Sequence, residues 1–184
     1  MSVPSVSDGR DASRLSRAEL ERWFDHLLAA HGPALGRLAS SYARTAGERE
    51  DLLQEIALAI WGALPRFRGE CSERTFLFRI AHNRAIAHVS RRRLPIVESA
   101  AELDMEDQAP DPERALSSGQ QGRQLLMAIR RLPLAHAQVV TLTLEGLSYE
   151  AVADVLGISE SNVGARLTRA RTMLRRMLRN SDGS

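Results

Sequence analysis

The chain has 184 residues, 43% hydrophobic and 26% charged but only 4% aromatic, with a formal net charge of +2. That suffices for one or two small domains with real cores, and it leans toward helix because Leu, Ala, Arg and Glu dominate while β-branched residues are sparse. A single cysteine, Cys71, excludes an internal disulfide framework, and the lack of a signal-peptide pattern or a membrane-length apolar run predicts a cytoplasmic protein with no direct membrane insertion.

Residues 1–15 are rich in Ser, Asp, Gly and Arg and read as a disordered tail. From Ser16 the apolar residues Leu20, Trp23, Phe24, Leu27 and Leu28 recur at helical spacing. Gly32-Pro33 predicts a break, with Pro33 in the first turn of a second helix that carries Leu35, Leu38, Ala39 and Tyr42. A third helix is expected from about Glu48 to Leu64, with Leu52, Leu53, Ile56, Ile60 and Leu64 on its apolar side and Pro65 ending it. Residues 66–72 read as a loop, and a fourth helix follows from about Glu73 to Arg92 with Phe76, Leu77, Ile80, Ala81 and Ala85 on one face. All 25 basic residues of the chain are arginines, and eight of them fall between Arg66 and Arg93 against only Glu70 and Glu73.

Leu94-Pro95 ends that helix, and residues 95–114 form an acidic linker holding Pro110 and Pro112. Between Glu98 and Arg114 there are seven acids and one arginine. A second helical unit, residues 115–180, opens with a stripe of Leu125, Leu126, Ile129 and Leu132, then one of Val139, Val140, Leu142 and Leu144. Ser148 is placed to cap a helix with Ala151, Val152, Val155 and Leu156 on its buried side. Gly157 sits where a helix end needs a left-handed residue, and Ser159 is placed to cap the last helix. That helix carries Val163, Leu167, Ala170, Leu174 and Met177 on one stripe, with Asn162, Ala165, Arg166, Thr168 and Arg169 largely elsewhere. A helix-turn-helix has this arrangement: its second helix packs by one side and offers polar residues to the major groove with the other. From Ser159 to Ser184 six arginines face Glu160 and Asp182, so two basic blocks flank an acidic connector. The chain is expected to be all-α, with two small helical domains, 16–94 and 115–180, joined by a flexible acidic linker. By itself the C-terminal motif fits a stand-alone repressor, a response-regulator output domain or a general initiation factor.

Residues 50–93 decide among these. Asp51-Leu52-Leu53-Gln54-Glu55, then Trp61, Pro65-Arg66-Phe67-Arg68-Gly69 and Arg79-Ile80-Ala81-His82-Asn83 together resemble region 2 of bacterial sigma factors of the extracytoplasmic-function group. The segment Gly157-Ile158-Ser159 to Arg171 is similar to region 4 of the same family. The resemblance implies a factor that binds core RNA polymerase and directs initiation at promoters by recognising −10 and −35 elements. It implies docking of Asp51, Gln54, Glu55 and Leu58 on the β′ clamp helices, and a further contact with the β flap. It implies capture of a flipped −10 base by Phe67, Arg68, Gly69 and Asn83, with Arg79, Arg84, Arg91, Arg92 and Arg93 on phosphates. For the −35 element it implies Ser159, Asn162, Ala165, Arg166, Thr168 and Arg169. Family members are commonly held by an anti-sigma factor, so such a partner is expected. The connector threads toward the polymerase active site in the family, which here would involve Glu98, Glu102, Asp104, Glu106 and Asp107. Phe76 and Phe78 stand where the family often has Trp and Tyr, and Gly164 where a basic residue is frequent.

Nothing points to catalysis. His82 and His88 are six apart on one helix, Asp51 and Glu55 lack a histidine partner at ligand spacing, and no phosphate loop or nucleophile motif stands out, so neither an enzyme nor a cofactor or metal is expected. The competing reading is a stand-alone helix-turn-helix regulator that binds duplex DNA.

Overall fold

The computed structural model describes residue 12 and residues 15–93 and 118–181. Every regular element among them is helical: α1 (Arg17–Tyr42), α2 (Ala46–Ala63), a 3-10 turn at Leu64–Arg66, α3 (Glu73–Arg93), α4 (Ser118–Arg131), α5 (Leu134–Leu144), α6 (Tyr149–Leu156) and α7 (Glu160–Ser181). They form two compact units, one carrying α1–α3 and the other α4, α5 and α7. The acidic linker and most of the N-terminal tail lie outside the described residues.

In the first unit, α1 opens on a capping box. The Ser16 N–H donates to Glu19 Oε2 at 2.8 Å, and the Glu19 N–H returns to Ser16 Oγ. The Ser16 hydroxyl also donates to Glu19 Oε2, at 2.7 Å, and together with the Ser16 N–H it holds the Glu19 carboxyl below its usual range. The expected break at Gly32-Pro33 does not occur; α1 runs through Pro33 as one helix of 26 residues. Pro33 removes the donor for the Ala29 carbonyl, but Ala29 and Pro33 are both exposed, so water can serve that carbonyl. On the opposite side Leu27, Leu35, Leu38 and Ala39 are buried, and their packing against α2 and α3 outweighs the lost bond. Thr45 caps α2 by accepting the Glu48 N–H at 3.1 Å, and Leu52, Ile56 and Ile60 carry its core face.

In the second unit, α4 and α5 pack on α7, with Ile129, Leu132, Val139, Val140 and Leu142 buried against Val163, Leu167, Ala170 and Leu174. Leu144, expected in the α5 stripe, is 59% exposed. α5 is enclosed on every side from Val139 to Leu142, but Leu144 is its last residue and reaches solvent. Leu147, past the end of α5, is buried instead.

One polar pair lies inside the first unit. The hydroxyl of Tyr42 and Nδ1 of His82 are 3.3 Å apart, and both residues are buried. Burial raises the Tyr42 phenol well above its ordinary value and pushes the His82 imidazole down to about 4. A neutral imidazole can accept the phenolic proton, so the pair is satisfied near neutral pH. The unfolded chain takes up the proton at the ordinary histidine value of 6.5, so stability is complete above that pH and falls as pH drops toward 4. Through this group alone the fall between pH 7 and 4.5 is about 2–3 kcal/mol. Urea unfolding followed by tryptophan fluorescence isolates this unit, because Trp23 and Trp61 are the only two reporters. His82→Gln, which keeps a hydrogen-bonding partner but does not titrate, is expected to shrink the stability difference between those pH values by that amount.

Candidate functional site

The outer face of α2 is set by what its inner face needs. With Leu52, Ile56 and Ile60 turned inward, Asp51 and Gln54 are exposed and Leu58 is 72% exposed. An apolar side chain this open next to a carboxylate and an amide has no role in the unit's own core. Glu55 differs from its neighbours. Its carboxylate accepts both oxygens' bonds from Arg91 Nη2, at 2.7 and 2.6 Å, joining α2 to the far end of α3. One residue expected to meet polymerase and one expected to meet phosphate are therefore engaged with each other. Both are substantially exposed, so the pair stabilises by at most about 1 kcal/mol.

The loop 67–72 hangs from a buried ring. Phe67 is 4% exposed, 5.6 Å from the Trp23 ring and 4.8 Å from Phe76 between centroids. Its ring has no free face for a base, so it anchors the loop, and the exposed Arg68 and Gly69 beyond it carry the accessible surface. Gly69 has φ 72°, the left-handed region that a side chain at that position would strain, which accounts for the glycine of the Pro-x-Phe-x-Gly pattern. The loop ends where Ser72 Oγ accepts the Thr75 N–H at 3.0 Å, capping α3. Trp23 Nε1 donates to Glu73 Oε1 at 3.1 Å, tying α1 to the same corner. Phe78 is fully buried beneath the Arg74 guanidinium, so only Phe76 of the two phenylalanines keeps any open surface. Cys71 is half-buried, and desolvation pushes its thiol up.

Along α3, Arg79 is half-buried, and its Nε has no hydrogen-bond partner among the described residues. Asn83, one turn on, shares its face and is exposed. Arg84 and Arg91 are exposed on an adjoining stripe. The backbone of Arg92 and Arg93 completes the helix, while their side chains lie outside the described residues.

In the second unit the helix-turn-helix forms by local chemistry. Ser148 Oγ accepts the Ala151 N–H at 3.1 Å, Gly157 ends α6 at φ 65°, and the Ile158 N–H closes on the Ala153 carbonyl at 3.1 Å. Ser159 Oγ then accepts the Asn162 N–H. Along α7, Ser159, Asn162, Ala165, Thr168 and Arg169 are exposed, opposite the buried stripe of Val163, Leu167 and Ala170. Arg166 Nε donates to Asn162 Oδ1 at 3.0 Å, so the two side chains hold one another in place. Thr168 spends its proton on the Gly164 carbonyl at 3.0 Å. The structure thus brings the six −35 candidates onto one helix and its cap. Sequence reasoning missed two braces of the first unit, Trp23 to Glu73 and Arg91 to Glu55, because partners 50 and 36 residues apart leave no periodic signal.

Comparison with known proteins covers both units. Residues 27–94 match the family model for Sigma-70 region 2, and residues 122–174 match that for Sigma-70, region 4. The chain is 30% identical to RNA polymerase sigma factor NccH of Alcaligenes xylosoxydans xylosoxydans, over 98% of this chain and 99% of that one. It is 30% identical to the ECF RNA polymerase sigma factor SigM of Mycobacterium tuberculosis, over 84% of this chain and 76% of SigM. Among solved structures it resembles CnrH in complex with the cytosolic domain of CnrY, at TM-score 0.69 and 25% identity, with both chains fully covered.

Gly164 offers a direct test of α7. A Cβ built there would come no closer than 3.8 Å to another residue, the Tyr149 ring, which is ordinary contact. Gly164→Ala is expected to stabilise the helix by about 0.5–1 kcal/mol. Native-state hydrogen exchange should register this as roughly two- to fivefold slower exchange for amides around the substitution.

Proposed function

The chain belongs to the sigma-70 family, in its extracytoplasmic-function group, and directs promoter-specific initiation by RNA polymerase; from that premise we propose how its residues divide the work. The first unit binds core polymerase through the outer face of α2, with Asp51, Gln54 and Leu58 meeting the β′ clamp helices and Glu55 at the margin. The same unit takes the −10 element with the loop 67–72 and α3. Arg68 and the Gly69 backbone border the captured base, Asn83 reads an edge, and Arg79, Arg84 and Arg91–Arg93 hold phosphates. The second unit reads the −35 element with Asn162, Arg166 and Arg169, supported by Ser159, Ala165 and Thr168, and meets the β flap. The acidic residues 95–114 connect the two grips. Sigma factors are not enzymes, and we assign this chain no catalysis of its own. No helix among the described residues is long and apolar enough to cross a membrane, and the protein works in the cytoplasm beside polymerase. CnrH is solved in complex with the cytosolic domain of CnrY, and the sigma factor RpoE of Bartonella quintana in complex with the anti-sigma factor NepR, so an anti-sigma partner is proposed here.

The observation that carries this reading is Leu58, 72% exposed on a helix whose opposite face is fully committed to the core. Leu58→Ala removes nothing the fold needs, so thermal stability is expected to stay within about 0.5 kcal/mol. If Leu58 becomes buried by polymerase, the same change weakens core binding by roughly tenfold, the equivalent of about 1.5 kcal/mol of lost apolar burial. Titrating labelled core polymerase measures this. The broader test is transcription of a genomic promoter library by core polymerase with and without the protein. New start sites sharing spaced −35 and −10 sequences are expected, whereas no stimulation together with tight operator binding by the protein alone would restore the stand-alone regulator.

A further inference from the structure

The loop proposed to capture the −10 base is anchored by a residue that lies before the first helix. Ala12 is 1% exposed, and its backbone N–H donates to the Phe67 carbonyl at 3.1 Å. Its own carbonyl accepts the Leu15 N–H at 3.1 Å, one residue before the Ser16 cap of α1. Phe67 is then fixed at each of its groups. Its N–H donates to the Leu64 carbonyl at 3.1 Å, its carbonyl is held by Ala12, and its ring is packed between Trp23 and Phe76. The next residues, Arg68, Gly69 and Glu70, are all exposed, with Gly69 in the left-handed region. The direction in which they leave the core is therefore decided at the Phe67 carbonyl, the last backbone group before the exposed stretch that is pinned from outside the loop.

We infer that Ala12 is a positioning residue for promoter opening: its backbone N–H pre-organises the loop 67–72 so that the flipped base meets a loop already in shape. Binding to a pre-shaped loop avoids the entropy of ordering it at the moment of capture. Only a small residue suits the position, since the side chain is enclosed, and only a residue with a free N–H can make the bond. The inference rests on the assignment of this loop to the −10 element.

The test uses the full-length protein in holoenzyme on a duplex promoter, with opening read by permanganate reactivity of −10 thymines. Ala12→Pro removes the donor and adds two ring carbons in the enclosed position, and Ala12→Gly keeps the donor while removing the methyl group. Ala12→Pro is expected to lower opening three- to tenfold, and Ala12→Gly less than twofold. Affinity for core polymerase should stay near wild type for both, and any fall in the unfolding midpoint should be far smaller than the loss of opening. A loss of core affinity or stability that parallels the loss of opening would make the contact merely structural and overturn the inference. Arg68→Ala in the same assay separates the two levels. If it impairs opening while Ala12→Pro does not, the inference fails and the loop assignment stands; if Arg68→Ala has no effect, the loop assignment itself falls and the inference with it.

Discussion

The first unit depends on burying one ring, Phe67, in a place where the chain must immediately turn outward. The loop proposed to meet single-stranded DNA exposes its side chains, so it cannot draw its shape from a core of its own. Phe67 resolves this by lying at the root of the loop between Trp23 of α1 and Phe76 of α3. Ring pairs of this kind contribute about 0.5–1.5 kcal/mol beyond their area. The 3-10 turn that leads out of α2 delivers Phe67 to that slot, so a single side chain ties all three helices to the loop. The indole N–H of Trp23 is satisfied by Glu73 in the same corner, which lets a large polar-tipped ring be buried without an orphaned donor.

The second unit reaches the same end by backbone chemistry. Two helices must meet at a sharp angle within three residues, and Gly157 supplies the left-handed turn while Ser148 and Ser159 cap the helices on either side. Each device is local, needing partners only three or four residues away. That leaves α7 free to use one stripe for packing and the other for polar side chains. The Asn162–Arg166 bond adds order to that polar side, since a guanidinium already held by a neighbour loses less freedom on meeting a base or phosphate.

This difference explains what could be read from the sequence. The helix-turn-helix was legible almost residue by residue, because caps, turn glycine and stripe all act within one or two helical turns. The faces of α2 were legible for the same reason: the 3.6-residue period that buries Ile56 and Ile60 exposes Leu58. The sequence misled where tertiary packing overrode a local signal, as at Pro33, whose lost hydrogen bond falls on the solvent side of a helix otherwise held by its leucines. It misled again at Leu144, the last residue of α5, which reaches solvent although its apolar neighbours Val139, Val140 and Leu142 are buried. The aromatics of the loop region were the hardest. Phe67 looks from the sequence like a surface for a base, yet it is buried, and only the distant Trp23 reveals why.

The arginine count also overstates the charge that each face presents. Arg91 is offset by Glu55, an acid that lies outside the basic segment and on another helix. Beyond a Debye length such a pair is nearly silent, so the long-range attraction proposed between the α3 surface and DNA rests on the remaining arginines. The correction applies equally to the other partner of the pair. With Glu55 neutralised, the Asp-Leu-Leu-Gln-Glu motif leaves one of its two carboxylates, Asp51, without an ion-pair partner among the described residues, beside the amide of Gln54 and the bare side chain of Leu58. A protein that covers this face therefore needs less opposing charge than the Asp-Leu-Leu-Gln-Glu motif implies, and more of its affinity must come from removing Leu58 from water.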